Sequence, residues 1–150
     1  MTSEPVQSAQ STSPSVAPGT EREAIRALLD GYYDTFGRDA AALSNFYSEP
    51  ALVVFPNQLI RLDSRADVVS FFDKLAVGLR PSGFSYSKMV DCHVRLLNPT
   101  TALCSAVALR LKADGTEMQR AGITYLLHKS DGEWKIHEAI GTDLDKLISD

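Results

Sequence analysis

Three tight-turn signals constrain this chain more than any other feature: Asn98-Pro99-Thr100-Thr101, Asp114-Gly115 and Asp131-Gly132. Asp-Gly between apolar runs marks a hairpin, because both residues tolerate the left-handed backbone that a two-residue turn needs. The turns divide residues 84–140 into four runs, 84–97, 102–112, 117–129 and 134–140, and so predict an antiparallel meander. Upstream the period is helical. Ile25, Leu28, Leu29, Tyr32 and Phe36 share one face. Thr20-Glu21-Arg22-Glu23 reads as a capping box, and Gly37 ends the helix. Asp39 caps a short second helix through Leu43, Phe46 and Tyr47. Ala51–Phe55 and Leu59–Leu62 flank the turn Pro56-Asn57 as two short strands. Ser64 with Asp67 opens a third helix, striped by Val68, Phe71, Phe72, Leu75 and Leu79, with Pro81 beyond it. This order predicts an α+β fold in which three helices cover one face of a curved mixed sheet.

The first 19 residues differ from the rest, with five serines, three prolines and Glu4 as the one charged side chain. A stretch of that kind buries too little apolar surface to offset its ordering entropy, so residues 1–19 read as a disordered tail and 20–150 as one domain. The tail has neither a basic start nor an apolar core, hence no secretory leader, and the expected compartment is the cytoplasm. No apolar run approaches the roughly 18 residues of a membrane span. A net charge of −4 argues against a nucleic-acid partner, which would call for a basic face. His93, His128 and His137 lack metal-ligand spacing, no glycine-rich phosphate loop or serine elbow is present, and no cofactor or metal is implied.

The turns also set a register, because paired residues share a face. Pairing Asn98 with Thr101 places Leu96 beside Leu103, Val94 beside Ser105 and Cys92 beside Val107. Pairing Ala113 with Thr116 places Leu109 beside Arg120, Ser105 beside Thr124 and Leu103 beside Leu126. The last turn places Leu126 beside His137. One face then collects Val90, Cys92, Val94, Leu103, Val107, Leu109 and Leu126, together with Ser105, Arg120, Thr124 and His137. As the more aliphatic face it is assigned to the helices. The opposite face carries Ala106, Ala108, Ile123, Tyr125, Trp134 and Ile136, with His93 and Glu138. It is too apolar for solvent and is expected to pair two copies into a homodimer. Cys92 and Cys104 fall on opposite faces in this register and cannot bond without rearrangement.

The segment Tyr32-Tyr33-Asp34-Thr35-Phe36, then Asp39, Leu43, Phe46-Tyr47 and Ala51–Phe55, resembles the nuclear transport factor 2-like superfamily. The Asp114-Gly115 hairpin and the ending Asp131-Gly132-Glu133-Trp134-Lys135-Ile136 are similar to its SnoaL-like branch. The resemblance covers roughly residues 21–142. Asp63-Ser64 stands where many relatives carry glycine before the third helix. The resemblance implies a cone-shaped α+β barrel, a pocket between the helices and the concave sheet, and frequent dimers through the convex sheet. It does not fix function, since the superfamily holds isomerases, cyclases, dehydratases, epoxide hydrolases and non-catalytic modules. The ketosteroid-isomerase pattern needs a first-helix tyrosine, an aspartate base ending the first strand and a protonated late-strand aspartate. Tyr32 matches the first role, Phe55 stands in the second position and Thr124 stands near the third, so two roles are empty.

The remaining expectation is a pocket for a small, largely apolar and possibly acidic ligand, lined by Tyr32, Phe55, Ser105, Arg120, Thr124 and His137. Arg120 is suited to a ligand carboxylate, and His137 is the candidate general acid or base. The plain structural readings stand beside these: a rim arginine, a hydrogen-bonded histidine, a core tyrosine. Binding, cofactor-independent isomerase, cyclase or lyase chemistry, and a non-catalytic assembly role all remain open. Whether the chain is an enzyme is not decided by its residues.

Overall fold

The structure, a computed structural model, describes residues 18–149. Most of the expected tail lies outside them, and Pro18 and Gly19 already belong to the first helix. The helices are α1 (Pro18–Thr35), α2 (Ala40–Leu43) and α3 (Arg65–Leu79). The strands are β1 (Tyr47–Phe55), β2 (Gln58–Leu62), β3 (Tyr86–Asn98), β4 (Thr101–Leu111), β5 (Glu117–Ser130) and β6 (Glu133–Thr142). They form one curved sheet in the order β2-β1-β6-β5-β4-β3, open because β2 and β3 remain edges. Only β1 and β6 pair in parallel. This is the α+β layout that the sequence predicts.

Local signals explain most boundaries. Asp39 accepts the Ala42 amide at 3.0 Å and Ser64 accepts the Asp67 amide at 3.2 Å, so both caps operate. Gly37 ends α1 with φ +81°, a conformation open to glycine, and its Cα lies under the Phe84 ring. The α1 boundary differs from expectation. The helix starts at Pro18, and Thr20 lies inside the first turn instead of capping it. Glu21 turns inward, where its carboxylate takes Lys129 Nζ at 3.0 Å and Trp134 Nε1 at 3.4 Å. That buried ion pair fastens the start of α1 to the β5–β6 hairpin.

From Thr101 to Arg110 the register along β4–β5 is the expected one, with Leu103 against Leu126, Ser105 against Thr124 and Leu109 against Arg120. A bulge after Arg110 sets Leu111 against Glu117, and Lys112 instead of Ala113 closes on Thr116. The face assignment, however, is inverted. Ala102, Cys104, Ala106, Ala108, Tyr125, Leu127, Trp134 and Ile136 are buried in the core with the α1 residues Ile25, Leu29, Tyr32, Tyr33 and Phe36. Ala106, Ala108, Ile123, Tyr125, Trp134 and Ile136 therefore pack within the chain itself, and the homodimer expectation loses the surface on which it was built. The physical reason is volume. The helix supplies the large rings, so the strands opposite must supply small side chains for the interior to close-pack.

Bulges account for the other corrections. In β3 the pairing shifts between Leu96 and Asn98, and again between Val90 and His93, where Asp91 adopts φ +52°. The first shift moves Val94 opposite Cys104, on the core side, and carries Cys92, two residues back, to the same face. The second re-phases the strand before Asp91, with Met89 against Ala108 and Val90 against Val107. The two cysteines thus share a face rather than opposing each other. In β6 a shift at His137 follows the pairs nearest the turn. On the outer face, residues after β6 double back across the sheet. The Ile148 amide donates to Ser105 Oγ at 3.0 Å, and Arg95 donates to the Ser149 carbonyl at 2.9 Å.

Candidate functional site

The inner face and the helices enclose a cavity of about 460 Å³, within the range of small-molecule sites. Its floor is aromatic. Tyr32 on α1 is met edge-on by Tyr33, Phe36, Phe46, Tyr47, Phe72 and Tyr125, with centroids 5.5–6.4 Å away. Its walls are Val53 and Phe55 from β1, Phe71 and Leu75 from α3, and Ala121 and Ile123 from β5. Thr142, Asp143 and Leu144, where β6 gives way to the returning C-terminal segment, stand at its mouth.

Polar groups are few and mostly donors. The hydroxyls of Tyr32 and Tyr47 meet at 2.8 Å, and those of Tyr33 and Tyr125 also meet at 2.8 Å. Burial pushes all four phenols well above their ordinary range, so they stay protonated. Each hydroxyl pair holds two hydrogens and its internal bond uses one. The other is left for a further acceptor.

Arg110 on β4 projects from the inner face into the same space. Its guanidinium lies 5.8 Å from the centre of the Phe36 ring and donates to Gln119 Oε1 at 2.9 Å. Burial weakens its hold on its proton, while the neighbouring phenols Tyr32, Tyr33 and Tyr125 oppose that shift. Among the described residues no carboxylate pairs with it. A second void of about 20 Å³ lies beside it, between Tyr33 and Ser87.

The expected site residues fall into two groups. Tyr32 and Phe55 line the cavity, and Arg120 stands at its rim, 50% exposed and already paired with Glu117 at 2.8 Å. Ser105, Thr124 and His137 are on the other side of the sheet. Ser105 Oγ and Thr124 Oγ1 meet at 2.8 Å, Thr142 donates to Thr124 at 2.8 Å, and the C-terminal segment covers them. His137 stacks edge-on with His128 at 5.6 Å. The residues that sequence reasoning missed are Tyr47, Arg110, Gln119 and Tyr125. A signal for Arg110 did exist: it continues the small-residue row Ala102, Cys104, Ala106, Ala108 as a lone cation.

Comparison with known proteins agrees with this architecture. The profile of the family described as NTF2-like protein (DUF6841) matches residues 21–143. No curated protein matches the chain. An NTF2-like protein with a cystatin-like fold from Novosphingobium aromaticivorans superposes with a TM-score of 0.64 at 21% identity, covering 85% of this chain and 84% of that one. A provisionally named aromatic ring hydroxylase from the same organism gives 0.65 at 19%, covering 86% and 92%. The yeast UBP3-associated protein BRE5 gives 0.64 at 19%, covering 87% and 98%. At these identities the likeness is one of fold.

Proposed function

The chain belongs to the NTF2-like protein family (DUF6841), a membership that leaves the chemistry to the site, and on the site's geometry we propose that it binds a small aromatic or aliphatic acid in the inner cavity. The observation that carries this reading is Arg110: a half-buried guanidinium facing an aromatic cavity, with no carboxylate partner among the described residues. An unpaired charge in such a place is costly, and a ligand carboxylate that accepts two of its N–H groups relieves the cost. The spare phenolic hydrogen of the Tyr32–Tyr47 pair adds a second donor, while Phe55, Phe71 and Leu75 suit an apolar body. The acid-binding role expected of Arg120 thus passes to Arg110.

The open volume favours binding over an assembly module with a filled cone. The catalytic alternative loses its base, because His137 lies on the opposite side of the sheet from the cavity. A cytoplasmic setting and the SnoaL-like branch remain part of this reading. Among the described residues no helix is long and apolar enough to cross a membrane.

A thermal-shift screen of aromatic and fatty monocarboxylates, followed by calorimetry on the best binder, tests the proposal. Arg110→Met should weaken that binder by about 10- to 100-fold, the scale of a hydrogen-bonded charge pair. Arg110→Lys should not restore it fully, because lysine lacks the planar fork. Arg120→Met should leave affinity unchanged. Undiminished binding by Arg110→Met would overturn the assignment.

A further inference from the structure

We propose that Cys92 and Cys104 form a peroxide-responsive dithiol that closes to an intramolecular disulfide, stapling edge strand β3 to β4 beneath α1. The Sγ atoms stand 3.1 Å apart, so a modest rotation brings them to the covalent distance of about 2.05 Å. The bulge between Leu96 and Asn98 is the device that turns Cys92 inward: it sets Val94 opposite Cys104, and Cys92, two residues back along the strand, shares that face. The pair is asymmetric. Cys92 is half-buried, whereas Cys104 is 0% exposed within the core.

That asymmetry assigns roles. The Cys104 thiol beside it, and Arg26 after it, hold Cys92 below the ordinary thiol range. Arg26 also donates to the Cys92 carbonyl at 3.4 Å, so the cation comes from the helix that covers the pair. Cys92 is the attacking sulfur. Its thiolate takes the distal oxygen of hydrogen peroxide, the O–O bond breaks and the displaced hydroxide leaves as water after protonation. Cys92 is then a sulfenic acid. The Cys104 sulfur next attacks Cys92 Sγ, the S–O bond breaks and the hydroxide leaves as a second water with the Cys104 proton. The chain loses two electrons and two protons, and peroxide is reduced to two waters. Both thiols lie within electrostatic reach of Tyr33, whose hydroxyl holds Tyr125 at the back of the cavity, so the staple forms directly behind the proposed binding site.

The test is intact mass and peptide mapping of the full chain after brief exposure to stoichiometric hydrogen peroxide, with unreacted thiols capped by maleimide under denaturation. The expected product is a monomer lighter by two hydrogens, with neither thiol labelled. Trypsin should then release Met89–Arg95 joined to Leu96–Arg110. Cys104→Ser should instead accumulate a Cys92 sulfenic acid that dimedone traps, and Cys92→Ser should keep its Cys104 thiol. Two thiols still labelled in the wild type, addition of oxygen without loss of hydrogens, or a disulfide between two chains would each overturn the proposal. The wild-type mass decides the matter even where a variant fails to fold.

Discussion

The two faces of the β4–β5 hairpin follow opposite designs. The inner face is a row of small residues, Ala102, Cys104, Ala106 and Ala108, with Tyr125 and Leu127 across from it. The outer face has the larger aliphatics, Leu103, Val107, Leu109 and Leu126, interrupted by the hydroxyls of Ser105 and Thr124. Aliphatic content alone would bury the outer face, yet the helices pack on the inner one. The difference teaches that a partner's shape selects the buried face. Helix α1 presents Tyr32, Tyr33 and Phe36, and only a row of small side chains leaves room for those rings. The outer face takes its cover from a light strap, the residues after Thr142, held by backbone bonds to Ser105 and Arg95.

This contrast breaks most sharply at Ala106, which is 0% exposed. Ala106→Leu adds three carbons where no space exists and should cost about 3 kcal/mol in chemical denaturation, at the upper end of overpacking effects. Should it prove neutral, the close-packing account of the inner face fails. On the outer face the tightest point is Gly122, where a Cβ would run into the Thr142 carbonyl and crowd Leu147. Gly122→Ala should cost about 2 kcal/mol, because backbone has to move, and hydrogen exchange should show the strap loosening. Ser105→Ala removes the acceptor for the Ile148 amide and the partner of Thr124. A loss of about 1 kcal/mol is expected, with proteolysis near the C-terminus as the second readout.

The smallest effect belongs to His137. Burial first, and the His128 charge second, hold it below the ordinary histidine range, with Glu138 opposing. The unfolded chain therefore binds the proton more readily, and the native state loses stability as pH falls below about 6.5, until the folded histidine also titrates. His137→Gln should flatten that part of the stability-against-pH curve while leaving ligand affinity untouched. A changed affinity would return His137 to the site.

Much of the fold was legible because its signals are local. Asp39, Ser64, Gly37 and the Asp131-Gly132 turn act over a few residues, and each operates as its chemistry dictates. At Asp114-Gly115, by contrast, only the glycine has a positive φ, and the turn spans one residue more than expected. The site was less legible. Tyr32 and Phe55 were found through the resemblance, whereas Arg110, Tyr47 and Tyr125 were hidden by the inverted face. Arg110 and Arg120 illustrate why. Both are strand arginines near turns, but one faces aromatic rings and the other pairs with Glu117 in solvent.

The sequence by itself determined the kinds of element, their order, the places of the turns and the β4–β5 register as far as Arg110, since backbone preferences and pairing parity are written residue by residue. Only the tertiary structure decided which face the helices cover, where the β3 and β6 bulges fall, and hence which charge enters the cavity and which two thiols meet. Those outcomes depend on how volumes from distant segments fit together. A one-residue shift costs little along a strand but exchanges inside for outside beyond it.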